Sequence, residues 1–170
     1  MRNAFLCLLV LAAAPARAML AVPATVEDLA RSSDAVVRGK VQSVSARWAE
    51  DQRRIFTYVE VAPTSVWRGA APARVTVMVP GGIVGGIGQR VDGAPGFSKG
   101  EEVVVFLSGA EAGAFRVTGL AQGKFSVDGA AARPQLSKVT FAPRAGVRAG
   151  ERLVEQMDVA ELERRVRGAK

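Results

Sequence analysis

Carboxylates are the side chains this 170-residue chain could use for acid–base chemistry: it has 16 Asp and Glu, no histidine and one cysteine, Cys7. Such chemistry needs two carboxyl groups in unlike surroundings, so that one keeps its proton while the other loses it. The densest acidic pair is Glu101-Glu102. On a strand, adjacent residues point to opposite faces, so these two are not expected to share a proton. A carboxylate-only hydrolase would draw on Glu101, Glu102, Asp92 and Asp128, since carboxylates distant in sequence can meet in space. A serine nucleophile has no imidazole base here, and no serine has a lysine three residues later, the spacing of a serine–lysine dyad. The aspartates, at 28, 34, 51, 92, 128 and 158, never alternate as in a calcium loop, and the cysteine and histidine ligands of a zinc site are missing beyond Cys7. The expectation is a chain that is not an enzyme, with no catalytic residue, no cofactor and no metal.

Contact chemistry is better represented. Residues 81–100 hold eight glycines in twenty positions, long for a connection inside a compact domain. Ile83, Val84 and Ile87 put apolar side chains on this pliable backbone, and exposed apolar residues in a loop mark partner surfaces. Arg90 is the charged residue nearest the middle of the loop and could engage an anion. Gly86-Ile87-Gly88 has the start of a phosphate-binding turn, but Val91 stands where the third glycine belongs; the alternative is a plain flexible loop between strands. Trp48, Trp67 and Tyr58 could form an aromatic platform. Trp67 closes an alternating strand, which favours core packing, whereas Trp48 adjoins a polar turn. The candidate partner-binding set is therefore Ile83, Val84, Ile87, Arg90 and Trp48.

The segment before these elements reads as an export leader. Arg2 precedes an apolar run over residues 4–14, and Ala16-Arg17-Ala18 has small residues where a signal peptidase reads. Eleven residues would span about half a bilayer core as a helix, so no permanent transmembrane anchor is expected. Cleavage after Ala18 would remove Cys7. The expected location is periplasmic or extracellular, which makes nucleic acid a poor partner. The net charge of +7 is uneven: residues 19–132 carry 12 basic and 11 acidic side chains, residues 133–170 nine and five. The basic C-terminal segment either attracts an anionic surface or is a solvated face in an arginine-rich chain.

The positioning elements follow from periodicity. Thr25 can cap a short helix with Asp28 reaching back, and Val26, Leu29 and Ala30 form its apolar side. Residues 35–44 and 55–61 read as strands. In the second, Ile55, Thr57, Val59 and Val61 share one face and Phe56, Tyr58 and Glu60 the other. Gly39 suggests a bend or bulge, and Pro63 an edge or bulge. Further strands are expected over 74–79, 102–107 (buried on both faces), 115–120 and 124–127, with a last short one within 136–141. Residues 151–157 suggest a separate helical turn. Asp158 caps a final helix with Glu161 at the capping-box spacing, Val159, Leu162 and Val166 in one stripe, and a Glu161–Arg165 pair. Short strands with glycine turns and terminal helices indicate a small barrel or sandwich rather than a parallel βαβ sheet.

Ser33-Asp34-Ala35-Val36-Val37-Arg38-Gly39-Lys40-Val41 following a short helix, Val66-Trp67-Arg68-Gly69, and Gly100-Glu101-Glu102-Val103-Val104 together resemble netrin-like modules, the family that includes tissue inhibitors of metalloproteinases. The similarity covers roughly residues 25–108. It implies a five-stranded OB-type barrel, with residues 115–127 able to complete it, and a habit of binding proteins. The inhibitors chelate a protease metal through an N-terminal cysteine; the terminus expected here is Met19, so that activity is not implied. The resulting expectation is a mainly β fold: a small OB-like barrel of five to seven strands with a short N-terminal and a C-terminal helix. Residues 1–18 would be a cleaved leader, 19–144 the barrel and 145–170 a basic helical segment. Function is expected to be non-catalytic binding of a protein or anionic envelope polymer. The alternatives are a protease inhibitor without the metal-chelating cysteine and a carboxylate-only hydrolase.

Overall fold

The structure, a computed structural model, describes residues 20–111, 113–136, 140–141 and 156–170. The leader expected over residues 1–18 lies outside the described residues, as does most of the helical turn expected over 151–157. In chain order the elements are β1 (Leu20–Ala21), α1 (Val26–Arg31), β2 (Ala35–Trp48), β3 (Ile55–Gly69), β4 (Val75–Pro80), β5 (Gly82–Val84), β6 (Ile87–Gln89), β7 (Glu102–Glu111), β8 (Ala114–Val117), a 3-10 turn (Leu120–Gly123), β9 (Lys124–Asp128), β10 (Ala131–Pro134), β11 (Thr140–Phe141), β12 (Met157–Asp158) and α2 (Val159–Gly168).

The chain folds as an OB-like barrel. β2, β3 and β4 form an antiparallel meander, and β7 joins the other edge of β2. β8 pairs antiparallel with β7 and parallel with β4, bringing the sheet back on itself. Closure is uneven, because β4 and β8 share one register pair, Val77↔Phe115. β9, β10 and β12 extend the sheet outward from β7. β1 and β11 form a separate parallel pair. Of the last short strand expected within 136–141, only Thr140–Phe141 is assigned as strand among the described residues.

Strand alternation divides the apolar residues into two cores. Val37, Val59, Val61, Val77, Val103 and Val105 are among those that fill the barrel. Val104 and Phe106, on the opposite face of β7, pack with Phe125, Trp67, Leu29, Leu162 and Val166 beneath α1 and α2. β7 is therefore buried on both faces, as its unbroken Val103-Val104-Val105-Phe106-Leu107 run requires. In α1, Thr25 accepts from the Asp28 N–H while Asp28 accepts from the Thr25 N–H, a reciprocal capping box. Asp158 caps α2 by accepting from the Ala160 N–H at 2.8 Å. The direct contact of Arg165 is with Glu27 rather than with Glu161, the partner its spacing suggests, whose charge nevertheless acts on it. The Arg165 guanidinium reaches α1 and makes a two-pronged contact with Glu27, at 2.6 and 2.7 Å, while Glu161 takes Arg164. That fork is possible because both helices lie over the same core.

β2 and β3 are longer than their apolar alternation indicates, running to Trp48 and through Pro63 to Gly69. Register shifts absorb the interruptions. One falls between Arg38 and Gly39, where Gly39 faces Pro63, and a Cβ on Gly39 would stand 2.4 Å from the Ala62 carbonyl oxygen.

Candidate functional site

The outer face of β3 and β4 holds a groove of about 630 Å³. Alternation along β3 sends Phe56 and Tyr58 outward while Ile55 and Val59 are buried. In register, Arg47 of β2 lies opposite Phe56, and Met78 of β4 opposite Tyr58. The Arg47 guanidinium lies 3.7 Å from the Tyr58 ring centroid, and that of Arg54 5.6 Å from the Phe56 centroid. Arg116 of β8 lines the opposite wall. Each pair contributes about 0.5–1 kcal/mol at an exposed site. The Arg47 guanidinium edge is left for a carboxylate or phosphate, whereas Arg54 Nε already donates to Asp51.

The turn over residues 49–54 orders one end of this groove. The Asp51 carboxylate accepts from the backbone N–H groups of Arg53 and Arg54 and from Arg54 Nε at 2.9 Å. These bonds, led by that of the Arg53 N–H, hold its carboxyl below the usual carboxylate range. Asp51 therefore stays ionised and places Arg54 over Phe56. Arg47 has no carboxylate partner among the described residues. Glu50 and Asp51 line the groove together with Arg47, Arg54 and Arg116.

Within the glycine-rich stretch, Gly82–Val84 and Ile87–Gln89 form a β-hairpin. Gly85 and Gly86, with φ +56° and +84°, supply the two left-handed positions of a two-residue turn. The segment read as the start of a phosphate turn is thus hairpin. Its base is tied to the barrel: the Ile55 N–H donates to Gln89 Oε1 at 2.6 Å, the Gly81 N–H to the Ile55 carbonyl at 2.8 Å, and Thr57 Oγ1 to the Gly81 carbonyl at 2.8 Å. Ile83 and Ile87 project from the tip, 73% and 58% exposed, while Val84 is half-buried. Arg90 is exposed and pairs with Asp92 at 3.4 Å. Trp48 is half-buried at the end of β2, opposite Ile55. The three-aromatic platform does not form: Trp67 lies in the core, and Phe56 is the ring that accompanies Tyr58 on the groove.

The candidate carboxylates go to separate tasks. Glu102 pairs with Arg38 at 2.7 Å, Asp92 with Arg90, and Asp128 is exposed at the end of β9. Glu101 accepts from the fully buried Lys124, from Ser126 Oγ at 2.6 Å and from the Ser98 N–H at 3.0 Å. Lys124 Nζ also donates to Ser126 Oγ at 2.8 Å and lies 5.3 Å from the Phe97 ring centroid. The structure thus brings a serine and a lysine together by the two-residue period of a strand, which the three-residue spacing rule does not see. Burial pushes the Lys124 ammonium down, and the bond and charge of Glu101 push it up; burial prevails. A general base must reach its substrate, and Lys124 is sealed behind Glu101, Ser126 and Phe97. The cluster fastens the end of the 81–100 segment to the sheet.

The basic C-terminal residues among those described are largely engaged within the chain. Arg164, Arg165 and Arg167 pair with Glu161, Glu27 and Glu163, and Arg133 donates to Gln156. Lys138, Arg144, Arg148 and Arg152 lie outside the described residues. The chain matches no family model and no curated protein.

Proposed function

We propose that the chain is an exported, non-catalytic binding module of netrin-like type, and that its β3–β4 face receives an anionic stretch of a partner protein or envelope polymer. The observation that carries this reading is the stacking of Arg47 on Tyr58 and Arg54 on Phe56 along one groove. Arg47, held over its ring and without a carboxylate partner among the described residues, loses little side-chain freedom on meeting an anion, and Asp51 fixes Arg54 beside it, which preorganises the face. In barrels of this topology the corresponding strands and flanking loops bind extended polymers, which supports the choice of face. The test is retention on an immobilised polyanion and capture from envelope extract, comparing the native chain with Arg47→Glu/Tyr58→Ala. Loss of retention and of captured partners in the variant is expected; identical recovery by both removes the groove from the account.

A second reading, inhibition of a protease by insertion of the hairpin, is favoured by one observation. The hairpin base is pinned by Gly81, Gln89 and Thr57 while Ile83 and Ile87 project. Slowing of an extracellular protease that disappears in Ile83→Ser/Ile87→Ser would establish it, and no slowing of any protease in a panel at micromolar protein would remove it.

A further inference from the structure

We infer that the cleft between β4 and β8 is a pocket for one apolar side chain, and that the ligand of the groove is an acidic peptide segment carrying a bulky apolar residue. This rests on the groove reading and narrows it from two polymer classes to one.

The cleft is a consequence of uneven closure. Because β4 and β8 share only the Val77↔Phe115 pair, they diverge beyond it and leave a cavity of about 300 Å³. Met78, Val79 and Pro80 line it from β4, Val117 from β8, and Pro95 and Leu120 from the segments crossing its end. The segments that contribute Pro95 and Leu120 are joined by the Ala121 N–H, which donates to the Gly93 carbonyl at 2.9 Å. Arg54, Phe56, Met78 and Arg116 belong to the lining of both the cleft and the larger groove, so the two run together.

The chemistry of the lining selects the occupant. Apart from the two arginines, the side chains facing the cleft are hydrocarbon, proline or thioether. A sugar placed there would give up water bonds to its hydroxyls, at about 1–3 kcal/mol for each group left unpaired. A phenylalanine or leucine side chain loses nothing of that kind and gains from leaving water. The volume is at the small end of ligand pockets, which suits one side chain. In the adjoining groove Arg47 is held over Tyr58 and has no carboxylate partner among the described residues, so an acidic residue flanking the apolar one meets complementary charge there. A peptide supplies both features at the spacing of adjacent residues; a uniform polyanion supplies only the charge.

The test titrates the purified protein with four probes, followed by fluorescence anisotropy at low salt. These are a fluorescein-labelled heptapeptide with a central phenylalanine between two runs of three glutamates, the same peptide with alanine at the centre, the same with lysines for the glutamates, and labelled hexagalacturonate. The phenylalanine–glutamate peptide is expected to bind at least tenfold more tightly than the other three. In methyl NMR, the Leu120 signals, from a residue that lines the cleft and not the groove, should move with the phenylalanine peptide and not with the alanine peptide, a readout on the native chain that needs no variant. Arg47→Glu should weaken both glutamate peptides by about tenfold. Equal binding of the phenylalanine and alanine peptides, or unmoved Leu120 methyls, overturns the pocket. Tight hexagalacturonate binding with no peptide binding overturns the peptide assignment while leaving the groove reading standing. No binding of any probe to folded protein overturns both.

Discussion

Replacing Glu101 by glutamine tests whether the buried cluster beneath the glycine-rich segment behaves as its geometry requires. Lys124 is fully buried, and Glu101 is its one carboxylate partner among the described residues, itself 17% exposed at the side chain. Two unit charges at contact, roughly 3 Å apart, attract by about 5 kcal/mol at an effective dielectric constant of about 20. Glutamine keeps an oxygen that can accept from Lys124 Nζ or from the Ser98 N–H, and a hydrogen bond to a charged group returns about 2 kcal/mol. The difference, about 3 kcal/mol, falls at the lower end of the roughly 3–5 kcal/mol typical of breaking one side of a buried pair. Urea denaturation at neutral pH should show this loss, and the melting temperature should fall by about 6–12 °C.

The companion variant Glu101→Gln/Lys124→Met removes both charges and fills the space with an unbranched apolar chain. It should recover most of the lost stability, because the penalty in the single variant is the stranded ammonium rather than a missing contact. The acid limb supplies a second check. Burial pushes the Glu101 carboxyl up, but bonds from Lys124, Ser126 and the Ser98 N–H outweigh it, so its pKa in the fold lies below the ordinary value. A depressed carboxyl contributes stability that is complete above the unfolded pKa and is lost as pH falls through the folded one. That part of the acid slope should disappear in Glu101→Gln. A single variant within 1 kcal/mol of native, or a double variant no better than the single, would refute the reasoning, since the ammonium would then be finding water.

Three further outcomes follow from other parts of the fold. Gly82→Ala would put a Cβ 2.6 Å from Thr57 Oγ1 and 2.8 Å from the Ala46 Cβ on a backbone with φ +142°; it should cost about 1–3 kcal/mol and open the hairpin amides to hydrogen exchange. Gly86→Ala, strained at φ +84° but open to solvent, should cost only about 1–2 kcal/mol and leave the hairpin base protected. Glu27→Gln cuts the bond between α1 and α2; by denaturation it should lose about 1 kcal/mol at neutral pH, and the native advantage should vanish as pH falls, because the Arg165 bond holds the Glu27 carboxyl below its usual value.

What could be read before the fold was known follows a physical divide. Local rules worked where one chain segment satisfied itself: the Thr25–Asp28 box, the Asp158 cap and the two-sided burial of β7 are short-range consequences of hydrogen bonding and periodicity. They failed where two segments had to agree. β10, whose Ala131-Ala132-Arg133-Pro134 sequence has weak strand preference, exists because Ala132 packs in the helix-covered core between β9 and β12. Arg165 prefers Glu27, 138 residues away, to its helical neighbour. The groove belongs to this second kind. Arg47, Tyr58, Met78 and Arg116 are unremarkable in sequence, and only register sets them on one face. The cleft beside them arises from a pairing that β4 and β8 do not make. Periodicity predicts bonds that form; it has no term for a seam left open. The glycine-rich segment, the most unusual composition in the chain, draws the eye in sequence, and backbone bonds at Gly81 and Ile55 and the Gln89 side chain tie its hairpin to the barrel. In a barrel of this kind, an unusual glycine content is equally well explained by the turns needed to tie a hairpin down.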